Sequence, residues 1–181
     1  MRRVGILGGM GPQATILLMQ KVLEAVPAAD DADHIPLIVD QNPQVPSRIR
    51  HLIEGTGDDP APVLADMARR LVAGGATALA MPCNTAHHYL PAIRSAVRVP
   101  FLDMVELSVA QVARLVGDDR RVGILASPAV RKIGLFDERL ARIDIQTTYP
   151  TEEPAMLAAI RQIKTSGPGP ESFAILRAAS E

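Results

Sequence analysis

Apolar residues along this chain fall into two rhythms. Short unbroken apolar runs mark buried parallel strands. Longer stretches with apolar residues every three or four positions mark helices. Val4-Gly-Ile-Leu7 is the first run, and Gly8-Gly-Met-Gly-Pro12 follows it as a tight loop. A helix from about Gln13 to Val26 then carries a broad apolar face through Ile16, Leu17, Met19, Gln20, Val22 and Leu23. Pro36-Leu-Ile-Val-Asp40 is a second strand, and Gln41 to Ser47 is a polar, proline-rich loop at its C-terminal end. After a loop from Thr56 to Asp59, a helix runs from Pro60 to Ala73. Val63, Leu64, Met67, Leu71 and Val72 share one face, and Gly74-Gly75 ends it. Thr77 to Met81 is a third strand, and a helix-like run spans Ala86 to Val97. Pro100-Phe-Leu-Asp103 is a short fourth strand, followed by a helix from Glu106 to Val116.

The pattern then restarts. Arg2-Arg-Val-Gly-Ile-Leu7 recurs letter for letter as Arg120-Arg-Val-Gly-Ile-Leu125, Val4 aligning with Val122 at an offset of 118 residues. Each copy opens a βα unit, with a helix-like run reaching Arg142 in the second. Ile143 to Thr148 is a further strand. Thr151 is placed to cap a helix to about Lys164, with Glu152 and Glu153 in its first turn. Gly167-Pro-Gly-Pro170 interrupts, and Glu171 to Ala179 forms a last helix. The expected fold is α/β: two pseudo-symmetric parallel-sheet domains, residues 1–100 and 101–181. By the repeat, a counterpart of Cys83 falls about 20 residues past Glu181, so the second domain is expected to be incomplete at its C-terminus.

Composition narrows the function. The 181 residues are 48% hydrophobic, enough for one domain or two small ones. Net charge is -1 and only 3% of residues are aromatic, none of them Trp, which argues against nucleic acid or an anionic membrane as partner. The apolar run near the N-terminus breaks at Gly8-Gly9, unlike a signal peptide, and no run approaches transmembrane length. A single cysteine cannot make an internal disulfide, so the expected compartment is the cytoplasm.

That cysteine lies in Ala80-Met-Pro-Cys-Asn-Thr-Ala-His-His88, between the third strand and the helix-like run. A thiol near the positive end of a helix is favoured as thiolate. Asn84 and Thr85 supply donors beside it for a carboxylate or oxyanion. The competing reading is a buried, inert cysteine, which needs no polar turn around it. The Gly8-x-x-Gly11 loop brings backbone N–H groups toward an anion, but it is not the dinucleotide fingerprint, because Asp40 comes too late. Arg48, after the second-strand loop, suits a bidentate carboxylate clamp or a solvated surface. His87, four residues after Cys83, either assists the thiol or lies on a helix surface. A metal held by Cys83, His87 and His88 lacks a fourth ligand nearby.

Gly5-Ile-Leu-Gly-Gly-Met-Gly-Pro12, Asn42-Pro-Gln44 with Arg48, and Pro82-Cys-Asn-Thr-Ala-His87 together resemble the aspartate/glutamate racemase family, most of all its aspartate racemase branch. The resemblance implies two similar α/β domains with the active site in the cleft between them, in a homodimer, working without pyridoxal phosphate or metal. It implies an acidic amino acid as substrate. Cys83 is then one of two acid/base thiols. Asn84 and Thr85 hold the α-carboxylate, Met10 lines the pocket, and Arg48 takes the side-chain carboxylate. Ser127 and Lys164 are further substrate contacts, although Pro128-Ala129 departs from the family's Thr-Gly. The family's second cysteine motif, Gly-Cys-Thr-Glu, is absent from these 181 residues. Three explanations are open: a truncated racemase, a relic that binds dicarboxylates or a partner without turnover, or a different second acid. Aspartate against glutamate is open as well.

Overall fold

The first strand sits at the centre of everything packed around it. The computed structural model describes residues 2–180. The chain divides between Met104 and Val105 into two compact units. The first unit contains β1 (Val4–Gly8), α1 (Pro12–Ala25), β2 (Leu37–Gln41), α2 (Ala61–Ala73), β3 (Ala78–Ala80), α3 (Leu90–Ala96) and β4 (Phe101–Leu102). Its strands form one parallel sheet in the order β2-β1-β3-β4. A strand paired on both sides and covered on its faces must be apolar throughout. Gly5 to Gly8 are accordingly buried, with Leu7 at 0% exposure. Leu64, Met67, Ala68 and Leu71 of α2 pack into one cluster with Leu7, Leu79 and the α3 residues Leu90 and Ile93.

The second unit contains most of α4 (Met104–Leu115), then β5 (Arg121–Gly123), α5 (Pro128–Lys132), α6 (Asp137–Ala141), β6 (Gln146–Thr148), α7 (Glu153–Ser166) and α8 (Pro170–Ala178). β5 and β6 pair in parallel. Two small clusters stabilise the unit: Val105 with Val130 and Leu135, and Val109 with Leu140 and Ile145. Both units are α/β with parallel sheets, as the alternating rhythms require.

Several local expectations give way to packing and turn chemistry. The broad apolar face of α1 is not buried within its unit: Thr15 is the helix's buried residue, while Ile16, Leu17 and Leu23 are each more than half exposed. Periodicity identifies an apolar face and says nothing of what covers it. The run from Ala86 to Val97 is not one helix. A 3-10 turn covers Thr85–Tyr89, and the α-helix begins only at Leu90, with Pro91 in its first turn, where its missing N–H costs nothing. The run after Ser127 is cut at Gly134, in the left-handed region with φ 59°, leaving α5 and α6. The cap of α7 is Glu152, not Thr151. An unforeseen π-helical turn, Arg50–Glu54, follows the β2 loop and ends at left-handed Gly55.

The glycine loop after β1 is fixed by close approach. Gly9 has φ 90°, and a Cβ added there would lie 2.4 Å from the Asn42 carbonyl carbon. Its N–H donates to the buried Thr15 hydroxyl at 2.9 Å. Gly9→Ala therefore meets both a disfavoured backbone region and fixed backbone atoms. It should cost about 2 kcal/mol or more in urea unfolding. Gly55→Ala shares the positive φ but has nothing within 4 Å, and should cost only about 1 kcal/mol. Equal losses at the two positions would contradict the interlock of Gly9 with Asn42.

Candidate functional site

A doubly wound sheet makes its crevice where neighbouring strands are reached in opposite directions. In the order β2-β1-β3-β4 that point lies beyond the carboxyl ends of β1 and β3. Ile6 pairs with Ala80 in that register. Gly9 and Cys83 each lie three residues further along, so the glycine loop and the cysteine turn leave the sheet at the same level. β2 ends beside them at Gln41, which pairs with Gly8, and the Asn42 N–H donates to the Gly8 carbonyl at 3.3 Å. Three loops therefore meet at one edge of the first unit.

Met10, Val45, Cys83 and Tyr89 are all buried members of the main apolar cluster. The Asn42 side-chain oxygen accepts from the Gln44 N–H at 3.0 Å, which turns the loop and brings Val45 inward. Arg48 Nη1 donates to the Val45 carbonyl at 3.2 Å and the Pro46 carbonyl at 2.9 Å. Those bonds hold the guanidinium against its own loop and leave it half-buried, not swinging in solvent. The Arg48 Nε and the Tyr89 hydroxyl are buried without a hydrogen-bond partner among the described residues. Two such donors, near enough for the Arg48 charge to act on the Tyr89 phenol, suit an anionic ligand, since an unmade bond to either costs about 1–3 kcal/mol. Tyr89 was not singled out in the sequence. Its signal was an aromatic residue six positions after Cys83 in a chain with only two tyrosines. The His51 ring lies 5.9 Å from it, with Nδ1 against the Gly57 carbonyl at 3.0 Å.

Cys83 keeps 8% exposure, and its Sγ lies 3.7 Å from the Thr85 hydroxyl. Asn84 is exposed at the start of the 3-10 turn. Because the α-helix starts seven residues beyond the thiol, a helix dipole is not what acts on Cys83; the effect falls off within the first turn. The local groups are Thr85 and His87. His87 is no surface residue, being 2% exposed. Its Nδ1 lies 2.8 Å from the Cys83 carbonyl, and its Nε2 faces Asp103 Oδ1 at 3.7 Å.

The second unit carries Ser127 and Lys164. Ser127 follows β5 and, with Pro128, Arg131, Tyr149, Glu153 and Met156, lines a shallow depression. The Tyr149 hydroxyl donates to Asp137 at 2.7 Å, and the Arg131 guanidinium lies over the Tyr149 ring. Lys164 is exposed in the last turn of α7, whereas the depression meets the first turn. At 1.5 Å per residue the two ends of that stretch are about 16 Å apart. Within the unit, Ser127 and Lys164 are therefore not neighbours. Among the described residues no group of three or more His, Cys, Asp or Glu is placed to hold a metal ion, and no helix is long and apolar enough to cross a membrane.

The parallel α/β fold thus sets its thiol at the switch point, where small molecules bind in folds of this architecture. The chain belongs to the Asp/Glu/hydantoin racemase family, whose model matches residues 7–181. It is 32% identical over 113 residues to the broad specificity amino-acid racemase RacX of Bacillus subtilis (strain 168), a match covering 60% of this chain and 48% of that protein. The match thus spans about half the length of that curated relative. Among solved structures, an aspartate racemase from Picrophilus torridus superposes with TM-score 0.89 at 24% identity, over 99% of this chain and 74% of that one. A glutamate racemase from Francisella tularensis subsp. tularensis, in complex with D-glutamate, superposes with TM-score 0.60 at 18% identity, over 98% of this chain and 62% of that one. Both carry the same fold.

The two tyrosines give this description a pH test. Burial, and then the Asp59 charge, push the Tyr89 phenol up to about 12, against the opposing pull of Arg48. Burial, and then the bond to Asp137, raise Tyr149 as well. An unfolded phenol ionises near ~10. The neutral phenols thus contribute stability that is complete below pH ~10 and is lost as pH rises toward and beyond 12. In Tyr149→Phe, tyrosinate absorbance should appear around pH 12 and not around pH ~10. Ionisation at the ordinary value would show that Tyr89 is not buried as described.

Proposed function

We propose that this chain acts as an amino-acid racemase of the aspartate/glutamate type, with Cys83 as one of its acid/base groups. The observation that carries the reading is the position of Cys83 at the sheet's switch point in a chain of this family. Racemisation takes the α-proton from one face of the substrate and returns a proton to the other. The deprotonated carbon is planar and conjugated with its carboxylate, so the chemistry needs an acid/base group on each face. Cys83 as thiolate takes the proton, and as thiol returns one in the reverse direction.

The neighbouring groups sort by charge. Arg48, pinned by two carbonyls, takes the side-chain carboxylate and selects an acidic amino acid. Asn84 and Thr85 hold the α-carboxylate, and Met10 closes the apolar wall. The group on the far face of the substrate is an acid other than a second cysteine of these 181 residues. No pyridoxal phosphate or metal enters this scheme. The apolar face of α1, with Ile16, Leu17 and Leu23 exposed, supports a homodimer, and the single thiol supports a reducing cytoplasm.

Incubation with L-aspartate, and separately L-glutamate, in D2O should wash out the α-proton signal and produce the D-enantiomer. Cys83→Ala should lower the exchange rate by about a hundredfold or more. Arg48→Lys should raise KM for the acidic substrate about tenfold or more by removing the planar fork. Exchange that survives Cys83→Ala would overturn the assignment of the base. Inversion of neutral amino acids as fast as acidic ones would overturn the role of Arg48.

A further inference from the structure

His87 is the buried titratable group that the scheme above leaves unused. It lies one turn after Cys83, and both of its ring nitrogens face acceptors. Nδ1 lies 2.8 Å from the Cys83 carbonyl oxygen, which can only accept, so Nδ1 carries a proton. Nε2 faces Asp103 Oδ1 at 3.7 Å. The other Asp103 oxygen lies 3.6 Å from Arg94 Nη2. At the 3.7 Å between Nε2 and Oδ1, outside a hydrogen bond, an ionised carboxylate favours a protonated Nε2 over a lone pair by charge. Cys83, Asp103 and, behind Asp103, Arg94 are among the groups that surround the ring. The Phe101 ring closes one side edge-on at 5.9 Å and offers no hydrogen-bonding group.

We propose that His87 is a positioning residue for Cys83: an imidazolium held between the Cys83 carbonyl and the Asp103 carboxylate, which fixes the cysteine turn and favours its thiolate. Desolvation opposes the charge, since His87 is 2% and Asp103 6% exposed. The ion pair offsets that cost, and Arg94 lets the pair reach solvent through a half-exposed side chain. The turn then holds a positive charge one residue's backbone from the thiol, which the distant α3 terminus does not supply. The catalytic meaning rests on Cys83 being the base proposed above, but the protonation state of His87 does not.

The test reads protonation directly and needs no turnover. NMR titration of the imidazole signals in the intact protein, assigned with His87→Asn among the four histidines, should show His87 protonated at pH 7. In Asp103→Asn its titration should fall to the ordinary range, near pH ~6.5. The thiolate ultraviolet absorbance, measured against Cys83→Ala, should appear about one pH unit higher in His87→Asn, where the amide still donates to the Cys83 carbonyl. A neutral His87 at pH 7 in the native protein overturns the proposal, and that measurement requires no variant to fold apart from its assignment. An unchanged thiolate curve in a folded His87→Asn also overturns it. If these results hold and α-proton exchange is absent, the proposal stands and the racemase reading fails.

Discussion

Gly9 against Asn42 is the contact on which the site depends. The first loop leaves β1 with φ 90° at Gly9 because the backbone of the second loop occupies the space a side chain would need. That single close approach locks two strand ends together. From Gly9 the chain runs directly to Met10. From Asn42 a side-chain turn brings Val45 inward, and Val45 and Pro46 hold Arg48. Loosening the glycine loop would therefore loosen the guanidinium, although the two are far apart in sequence. Thr15 completes the lock from α1 by accepting the Gly9 N–H.

The parallel sheet brings the thiol to that lock. Strand order places β3 on the opposite side of β1 from β2, so the cysteine turn and the glycine loop emerge side by side with the ligand crevice between them. The apolar cluster beneath, built from α2 and α3 against β1 and β3, keeps Cys83 and Tyr89 nearly dry. Low exposure strengthens charge interactions at this edge, most of all within the buried turn at His87. The terminus of a long helix does not lie at the thiol, because the chain first makes a 3-10 turn.

The motifs at this edge were legible in the sequence for a physical reason: tight glycine loops, Asx turns and a polar cysteine turn each demand particular residues at particular places. Burial was less legible. The hexapeptide Arg-Arg-Val-Gly-Ile-Leu makes the five-residue β1 at its first occurrence and only the three-residue β5 at its second. Leu7 is 0% exposed and Leu125 46% exposed, since β1 has neighbours on both sides and β5 pairs only with β6 among the described residues. Of the two readings open for His87, the surface one falls to its burial, because the four-residue spacing from Cys83 fixes a direction along the chain and not the strand that covers it. The covering residues, Phe101 and Asp103, come from β4 and its end. The apolar stripe of α1 was legible as a stripe, and what covers it was not.

The proposed function requires an acidic amino acid to bind at the carboxyl edge of β1, β2 and β3. Backbone amide NMR of the uniformly labelled protein, titrated with L-aspartate, reads that binding residue by residue. Saturable shifts should concentrate at Gly9, Asn42, Arg48, Cys83, Asn84 and Thr85. Saturable shifts confined elsewhere, or none at concentrations well above those of ordinary substrates, would mean that this edge is not the binding site.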